Sequence, residues 1–351
     1  MAKINIIKEV DEMKLKAEFE QFYKDIRIDG EQNTLIQKRE MLQKEIKDKL
    51  PDIMEKHGIE LYKSSIKMFD QGSYKYNTTI RSTVVDRDVA VMIPLDIVAN
   101  PDPRKIKGYL RDSIDITIRS VQIKEPCVRA SYHKDGKEYL HIDLPLYAQD
   151  GNEIYLARGK EYGAYSWEHA DPYGLNDDLC GMINKNQQLR RVICYLKKWK
   201  NEHYINPISD HEVPPSIGLT YLACDYFEAQ STDDGDNDLL AFQRTVQNIC
   251  SRFSVTRDYF GNITEANISR YLTVQPYTDV FNKMKDSSSS YMITFYKRLC
   301  NARDNLTNAV NVESDHDAAE YVAKVLGDEF EVPPKSAKNK STRINREHSF
   351  G

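Results

Sequence analysis

Residues 68–95 read MFDQGSYKYNTTIRSTVVDRDVAVMIPL, and this stretch decides the fold. Its second half is rich in β-branched residues and ends at a proline, which is typical of a β-strand. Asp86 and Asp88 lie two residues apart in that strand, so their side chains point to the same face. Two adjacent carboxylates repel each other unless a cation lies between them. If the pair stood alone, two exposed strand-end aspartates would be the alternative interpretation.

Gly72 and Ser73 form a turn of small residues ahead of a run that could open a helix. Such a turn offers free backbone N–H groups and the positive end of a helix dipole, and both suit phosphate. A plain turn is the alternative interpretation, because Gly-Ser pairs are common. On its own the pair therefore does not identify a phosphate site.

A third acid, Asp143, stands inside the apolar segment Leu140-His141-Ile142-Asp143-Leu144. A lone charge in such a strand is costly unless it meets partners. If this strand lies beside the strand of Asp86 and Asp88, three carboxylates converge next to a phosphate-binding turn. That layout suits two divalent cations that hold a triphosphate during in-line attack.

The composition is that of a globular protein, with 351 residues of which 40% are hydrophobic and 29% are charged. This length allows about two domains and a sizeable core. No stretch of about 18 apolar residues predicts a membrane span, and the first residues do not resemble a signal peptide. The six cysteines are far apart and share no metal-ligand spacing with histidines. They predict buried thiols in a cytoplasmic protein rather than a zinc site.

The pattern along the chain predicts a strand-rich half, a helical half and a tail. Apolar residues at helical spacing predict a helix over residues 33–57, and after about residue 175 helical patterns dominate. The fold class is therefore α+β, with predicted units at 1–170, 171–332 and 333–351. Strands are predicted in four segments: STVVDRDVAVMIPL (82–95), SIDITIRSVQI (113–123), CVRASYH (127–133) and EYLHIDLPLYA (138–148).

The charge of the chain is uneven. The net charge is −5 overall, but residues 334–351 carry +4 and the preceding body −9. An acidic body is a poor electrostatic match for duplex nucleic acid. The last segment is polar and nearly without apolar anchors, which predicts disorder.

Together these motifs resemble the polymerase-β-type nucleotidyltransferases and, more narrowly, the bacterial cGAS/DncV-like nucleotidyltransferases of anti-phage signalling. The segment DQGSYKYNTT (70–79) resembles their QGSxxxxT turn, and LHIDLPLYA (140–148) resembles their HIDVPMYA segment. The resemblance runs in order from about residue 60 to about residue 330. It continues through SWEHADP (166–172), LRRVICYLKKWK (189–200), PPSIGLTYLA (214–223) and VLGDEF (325–330).

The resemblance implies a nucleotidyltransferase palm with a mixed sheet, followed by a C-terminal helical lobe that closes over nucleotides. It implies that Asp86 and Asp88 hold two Mg²⁺ ions, which Mn²⁺ could replace. Asp143 would complete the second metal site and help to activate the attacking ribose hydroxyl. The implied nucleotide-binding residues are Gln71, Gly72 and Ser73 for the β- and γ-phosphates, Lys197 for the triphosphate, and Ser216, Trp167 and Arg190.

The residues implied to bind nucleotide outside the Gly-Ser turn also have structural interpretations. Arg190, Cys194 and Lys197 are spaced four and three apart, so they share one helix stripe, which could also be a solvated basic flank. For Ser216 and Trp167 a packing role is the alternative.

The sequence departs from the family pattern at two positions. Arg87 stands between the aspartates where a hydrophobic residue is usual, and its side chain should point to the opposite strand face. Met92 stands where the DncV-type sequence has a tyrosine, so base and linkage preferences are not carried over.

The implied reaction is transfer of a nucleoside monophosphate from ATP or GTP to a ribose hydroxyl. Repetition of this step would close a cyclic di- or trinucleotide that acts on a downstream effector in anti-phage defence. The alternatives are a nucleotidyltransferase that modifies a protein or RNA, and an inactive nucleotide-binding scaffold that works through its tail. Neither a membrane nor a specific duplex nucleic acid is an expected partner.

The resemblance further implies a ubiquitin-transfer-like enzyme that links Gly351 to targets. A chance terminal glycine is the alternative interpretation.

Overall fold

The structure is a computed structural model and describes residues 13–28, 32–82 and 84–335. One eight-stranded sheet forms its centre. The strands of this sheet are β1 (Lys67–Gln71), β2 (Val85–Pro94), β3 (Ser120–Ile123), β4 (Val128–Lys134), β5 (Lys137–Leu144), β6 (Leu146–Asp150), β7 (Glu153–Gly159) and β8 (Tyr165–His169). Their order is β3-β4-β5-β2-β6-β7-β8, and β1 pairs with β2 outside this path. The sheet is mixed, because β2 runs parallel to β5 and β6 while its pairing with β1 is antiparallel.

Helices flank the sheet and make up most of the second half of the chain. Two small hairpins are formed by β9 (Ser231–Thr232) with β10 (Gly235–Asp236) and by β11 (Ser254–Arg257) with β12 (Ile263–Asn267). The helices are α1 (Lys16–Ile26), α2 (Gln32–Glu55), α3 (Gly72–Lys75), α4 (Pro103–Ile114), α5 (Pro172–Ile183), α6 (Gln187–His203), α7 (Ser216–Tyr226), α8 (Asp238–Ser251), α9 (Asn282–Ser287), α10 (Ser289–Asn311) and α11 (Asp315–Leu326). The predicted α+β class, a mixed-sheet palm followed by a helical lobe, is confirmed.

Three of the four predicted strand segments form strands, and the segment at 138–148 forms two, β5 and β6, which meet at Pro145. The prediction for 113–123 is wrong in its first part, because residues 113 and 114 end α4 and only residues 120–123 are extended. Asp102 caps α4 and Pro103 occupies its first turn, so the helix begins well before the segment. Its buried apolar side chains Ile106, Leu110 and Ile114 keep it helical to the end.

The palm and the helical region have separate apolar cores. The palm core lies between the sheet and helices α2 and α4. The second core contains the apolar face of α6, where Leu189, Val192, Ile193, Leu196 and Trp199 are all buried.

Helix α1 also belongs to the second core. Phe19 and Phe22 lie edge-on to the ring of Phe330, with centroids 5.0 and 5.2 Å apart. The N-terminal helix therefore packs on the helical lobe, and the unit boundaries at 170/171 and 332/333 stay predictions.

Membrane-spanning helices are absent from the described part of the chain, where no helix is both long and apolar enough to cross a bilayer. All six cysteines are free thiols, of which three are buried and three are partly exposed.

Candidate active site

The three predicted carboxylates lie on two neighbouring parallel strands. In the register of β2 and β5, Asp86 pairs with His141 and Asp88 pairs with Asp143. Asp86, His141 and Asp143 each offer a ligand atom, and these atoms lie within 4.8 Å of one another. The structure thus brings together the acids that the sequence placed on separate segments.

Two of the three acids have a cationic or imidazole partner. Arg129 Nε and Nη2 donate to the two carboxylate oxygens of Asp143, both at 2.7 Å. His141 Nε2 lies 3.1 Å from Asp86 Oδ1, and its Nδ1 lies 2.9 Å from Glu138 Oε1. Burial alone would lower the pKa of His141, but the hydrogen bond to Asp86 and the charge of Asp86 raise it overall. These contacts fix the orientation of Asp143 and Asp86.

Asp88 has no hydrogen-bond or ion-pair partner for its carboxylate within residues 13–28, 32–82 and 84–335. Burial, followed by the charges of Asp86 and Asp143, raises the pKa of Asp88 well above its ordinary value. Positive charge close to such an acid favours its ionised form and lowers its pKa again.

The donor set fits a divalent cation. Asp86, His141 and Asp143 offer ligand atoms within 4.8 Å of one another, and Asp88 lies beside Asp143 in the register of β2 and β5. Burial and the other two acids raise the pKa of Asp88 by more than His141 and Arg129 lower it. Hard oxygen ligands of this kind suit Mg²⁺ or Mn²⁺, and the single imidazole of His141 is compatible with Mn²⁺. A divalent metal bound at Asp86, Asp88 and Asp143 would supply positive charge that offsets these carboxylates.

The Gly-Ser turn lies directly against this acid cluster. Gln71 pairs with Asp88 across β1 and β2, and α3 begins at the next residue, Gly72. Gly72 has φ +67°, and an added Cβ would lie 2.1 Å from Asp88 Oδ2. Only glycine combines this backbone conformation with such a close approach. The turn and the acids are thus in contact, and Tyr147 Oη holds Gln71 Oε1 at 3.3 Å.

Lys197 connects the helical lobe to the turn. From α6 its Nζ donates to Ser73 Oγ at 2.7 Å, to Thr78 Oγ1 at 2.9 Å and to the Thr78 carbonyl at 3.0 Å. The side chain is buried, and this burial lowers the pKa of Lys197 to about 8. The alternative of a solvated basic flank is wrong for this residue, because the lysine points inward at the predicted phosphate turn.

A cavity of ≈ 260 Å³ opens beside Asp86 and Asp88. Its remaining wall combines the turn with apolar side chains of the helical lobe: Pro172, Leu175, Leu179 and Ile217. A second cavity of ≈ 190 Å³ shares Ser73, Lys197 and both aspartates with the first. Together they offer a polar end at the acids and an apolar end between the lobes, which suits a triphosphate joined to a flat base.

Ser216 lines both cavities at the start of α7. Its Oγ accepts a hydrogen bond of 2.6 Å from Lys200 Nζ. Lys200 is not among the residues that the sequence analysis assigns to the site, yet it lines the second cavity beside Lys197. Burial lowers the pKa of Lys200.

Trp167 and Arg190 are not brought to these cavities. Trp167 lies on β8, packs against the palm core and donates from Nε1 to the Asn100 carbonyl at 2.9 Å. Arg190 bonds to Gln187 and, through Nη2, to Asn184 Oδ1 at 2.8 Å at the start of α6. The structure shows a packing contact for Trp167 and side-chain hydrogen bonds for both residues, and their nucleotide contacts stay predictions.

Other residues of the site were missed by sequence reasoning. Arg129 and His141 hold the acids, while Tyr76 Oη donates to Asn176 Oδ1 at 2.8 Å in the cavity wall. Thr79 Oγ1, in the wall of the second cavity, is buried without a hydrogen-bond partner in the described part of the chain. Of these, Tyr76, Thr79 and His141 lie within segments that carry the family resemblance, whereas Arg129 does not. Gly351 lies outside the described residues.

Comparisons with known proteins agree with this geometry. The family model for the nucleotidyltransferase domain of cyclic GMP-AMP synthase DncV-like proteins matches residues 66–147. That range contains the turn and all three acids. No curated protein matches the chain by sequence.

Crystal structures of Vibrio cholerae DncV, a cyclic AMP-GMP synthase, share the fold. The complex with the linear intermediate 5′ pppA(3′,5′)pG has a TM-score of 0.65 and 16% identity, covering 89% of this chain and 96% of that chain. The complex with nonhydrolyzable GTP has a TM-score of 0.64 and 16% identity, covering 91% and 97%. The agreement extends over both lobes. The chain therefore contains a DncV-like nucleotidyltransferase domain at residues 66–147, within a fold that it shares with DncV.

Proposed function

We propose that the protein joins nucleotides from ATP, GTP or both into a cyclic di- or trinucleotide, with a divalent metal, Mg²⁺ or Mn²⁺, as cofactor. The observation that carries this proposal is the juxtaposition of three strand-borne carboxylates with a glycine turn that Lys197 contacts from the helical lobe. The similarity to DncV supports the cyclic product, because that relative is a cyclic AMP-GMP synthase.

Asp86, Asp88 and Asp143 would hold two metal ions, which when bound neutralise phosphate charge and polarise the reacting oxygens. The protein's own contribution is positioning. Gln71, Gly72 and Ser73 would bind the β- and γ-phosphates.

Lys197 would supply a mobile positive charge to the triphosphate, close to Ser73, which it already contacts. Asp143, held by Nε and Nη2 of Arg129, would orient the attacking hydroxyl. Ser216 and Lys200 would extend the phosphate site on the helical side.

The test is to incubate the purified protein with labelled ATP and GTP and either Mg²⁺ or Mn²⁺, and then to treat the products with phosphatase. A phosphatase-resistant oligonucleotide is expected from wild type and none from an Asp86→Ala, Asp88→Ala double variant. The same product from the double variant would show that the acids are not the catalytic site.

Two other outcomes point to the alternatives. Label transferred to a protein or an RNA, without a free resistant product, would indicate a modifying nucleotidyltransferase. Nucleotide binding without any transfer would indicate a scaffold.

The cellular role is a further part of the proposal. A cytoplasmic location follows from the scattered cysteines, whereas a downstream effector in anti-phage defence and a conjugating enzyme acting on Gly351 follow from the sequence resemblance. Deletion of Gly351 should leave synthesis intact and abolish covalent adducts in cells, and persistent adducts would remove that part of the proposal.

A further inference from the structure

Arg87, the unusual residue between the two aspartates, lies on the opposite face of β2 and is 2% exposed. Its Nε and Nη2 donate to Asp70 Oδ1 of β1 at 3.1 and 2.8 Å. Arg39 of α2 reaches the same oxygen with its Nε at 3.2 Å. One carboxylate at the end of β1 thus binds two guanidinium groups, and Arg87 is the more deeply buried of the two.

The guanidinium of Arg87 also stacks on Tyr74, with Cζ 3.7 Å from the ring centroid. Tyr74 follows Ser73 directly in α3. Cation–π contacts are strongest where the cation is removed from water, as it is here. A single side chain therefore joins three segments: β1, which ends at Gln71, α3, which begins at Gly72, and β2, which carries the aspartates.

Packing alone does not account for an arginine at this position. An apolar side chain of similar volume would fill the sheet face without the cost of burying a charge. Arg87 Nη1, moreover, has no hydrogen-bond partner in the part of the chain that the structure describes. Only arginine has a planar guanidinium group that can donate hydrogen bonds to a carboxylate and stack on an aromatic ring at the same time.

We propose that Arg87 is a positioning residue, which holds the turn of Gly72 and Ser73 in register with Asp86 and Asp88 from the far side of the sheet. This inference rests on the proposed function, because it assigns Arg87 a role through the phosphate-binding turn. Arg87 lines neither cavity at the acids, so it acts through α3 and β1 and not by touching nucleotide.

The palm contains a matched arrangement away from the site. Arg104 at the start of α4 bonds to Asp102 through Nε at 2.9 Å and Nη2 at 2.8 Å. Its guanidinium lies 4.0 Å from the ring centroid of Tyr165. Arg104 thus has the same two kinds of contact as Arg87 but does not adjoin the turn, which makes Arg104→Met a control for loss of a stacked, paired arginine.

The experiment compares Arg87→Met, Tyr74→Leu, their double variant and Arg104→Met with wild type. It measures the Kd of non-hydrolysable ATP and GTP analogues with Mg²⁺, the KM and kcat of synthesis, and the melting temperature. We expect Arg87→Met and Tyr74→Leu each to raise Kd and KM about tenfold, the loss of one buried cation–π contact. The double variant should be no worse than Arg87→Met, because both changes remove the same contact. Arg104→Met should leave Kd and KM unchanged.

Arg87→Lys keeps the charge without the planar fork, so it should restore only part of the lost affinity. A folded Arg87→Met protein with wild-type Kd and KM would overturn the inference, and so would additive effects in the double variant. If Arg87→Met does not fold, Tyr74→Leu serves as the test, because it leaves the ion pair between Arg87 and Asp70 in place. Wild-type Kd and KM in Tyr74→Leu would then overturn the inference.

Different results would overturn the proposed function and the proposed role of Arg87. A wild-type protein that binds neither analogue overturns the proposed function together with this inference. A wild type that binds and makes product, with Arg87→Met indistinguishable from it, overturns only the role of Arg87.

Discussion

The palm sheet and the helical lobe bring their polar groups to the site in different ways. Asp86, Asp88 and Asp143 stand on short side chains whose positions follow from the backbone register of β2 and β5. Lys197 reaches the same place on a long side chain from α6 and is held there by Ser73 and Thr78. The strand register fixes the distances between the carboxylates, whereas the long side chain of a lysine can move with a phosphate group. Of these groups, the acids of the palm should therefore govern kcat, and the lysine of the helical lobe should govern nucleotide binding.

The largest expected effect comes from removing one acid of the palm. Asp143→Asn should lower kcat by about 10³-fold, because several kcal/mol of transition-state charge stabilisation depend on an intact metal site. Steady-state rates of synthesis measure this. Asp112→Asn, at an exposed pair with Arg111, is the control and should behave as wild type. A fall in affinity with unchanged kcat would break the division between the lobes.

The next effect is expected from the helical lobe. Lys197→Met should raise KM for nucleotide about 10- to 100-fold with a smaller change in kcat, because one charge-assisted contact to phosphate is lost. Lys198→Met, at the next residue of α6, is the control, because Lys198 pairs with Glu202 and Glu329 and lines neither cavity, so its KM should stay near that of wild type. Equal losses in the two variants would mean that the general basicity of α6 matters rather than the inward position of Lys197.

The pH dependence should sharpen the role of the lysine. Burial lowers the pKa of Lys197 from 10.5 to about 8, so its positive charge is present below this pH and is lost as the pH rises through it. KM for nucleotide should therefore rise above about pH 8, by up to about tenfold per pH unit. In Lys197→Met this rise should be absent. A wild-type rise that survives in that variant would assign the titration to another group.

The smallest expected effect concerns stability. The pKa of Asp88 is raised in the folded state, so the ionised carboxylate destabilises the fold at neutral pH, and this cost is relieved as the pH falls through the raised pKa. Asp88→Asn should therefore raise the melting temperature in EDTA by about 2 °C.

With saturating Mg²⁺ the order should reverse, because only wild type retains the full ligand set. Thermal melts under both conditions measure this. A lower melting temperature of Asp88→Asn in EDTA would contradict the electrostatic account.

The sequence predicted the palm better than the helical lobe. The two-residue period places Asp86 and Asp88 on one face from local sequence alone, and the opposite orientation of Arg87 follows in the same way. The parallel pairing of β5 with β2 joins residues that are far apart in the sequence, and local sequence patterns do not reveal it. The sequence therefore predicted that Asp143 lies near Asp86 and Asp88 only if these two strands are neighbours. The first part of the segment 113–123 was misassigned because its β-branched residues follow a helix whose capping signal, Asp102 and Pro103, stands ten residues earlier.

Contacts between side chains from distant segments were beyond sequence reasoning. The bond between Lys200 and Ser216 and the support of Asp143 by Arg129 leave no periodic signal. Trp167 illustrates the converse case, because a motif resemblance placed it near nucleotide while the structure packs it against the palm core. Motifs predict which segments meet, but the orientation of each side chain depends on its neighbours.

The close approach at Gly72 has one more consequence. With an added methyl group only 2.1 Å from Asp88 Oδ2, position 72 tolerates no side chain unless the acid or the turn is displaced. Any side chain introduced at position 72 would therefore also change the placement of Asp88. Positions 72 and 88 thus form one unit of substitution, in which a larger residue at the first would need a compensating change at the second.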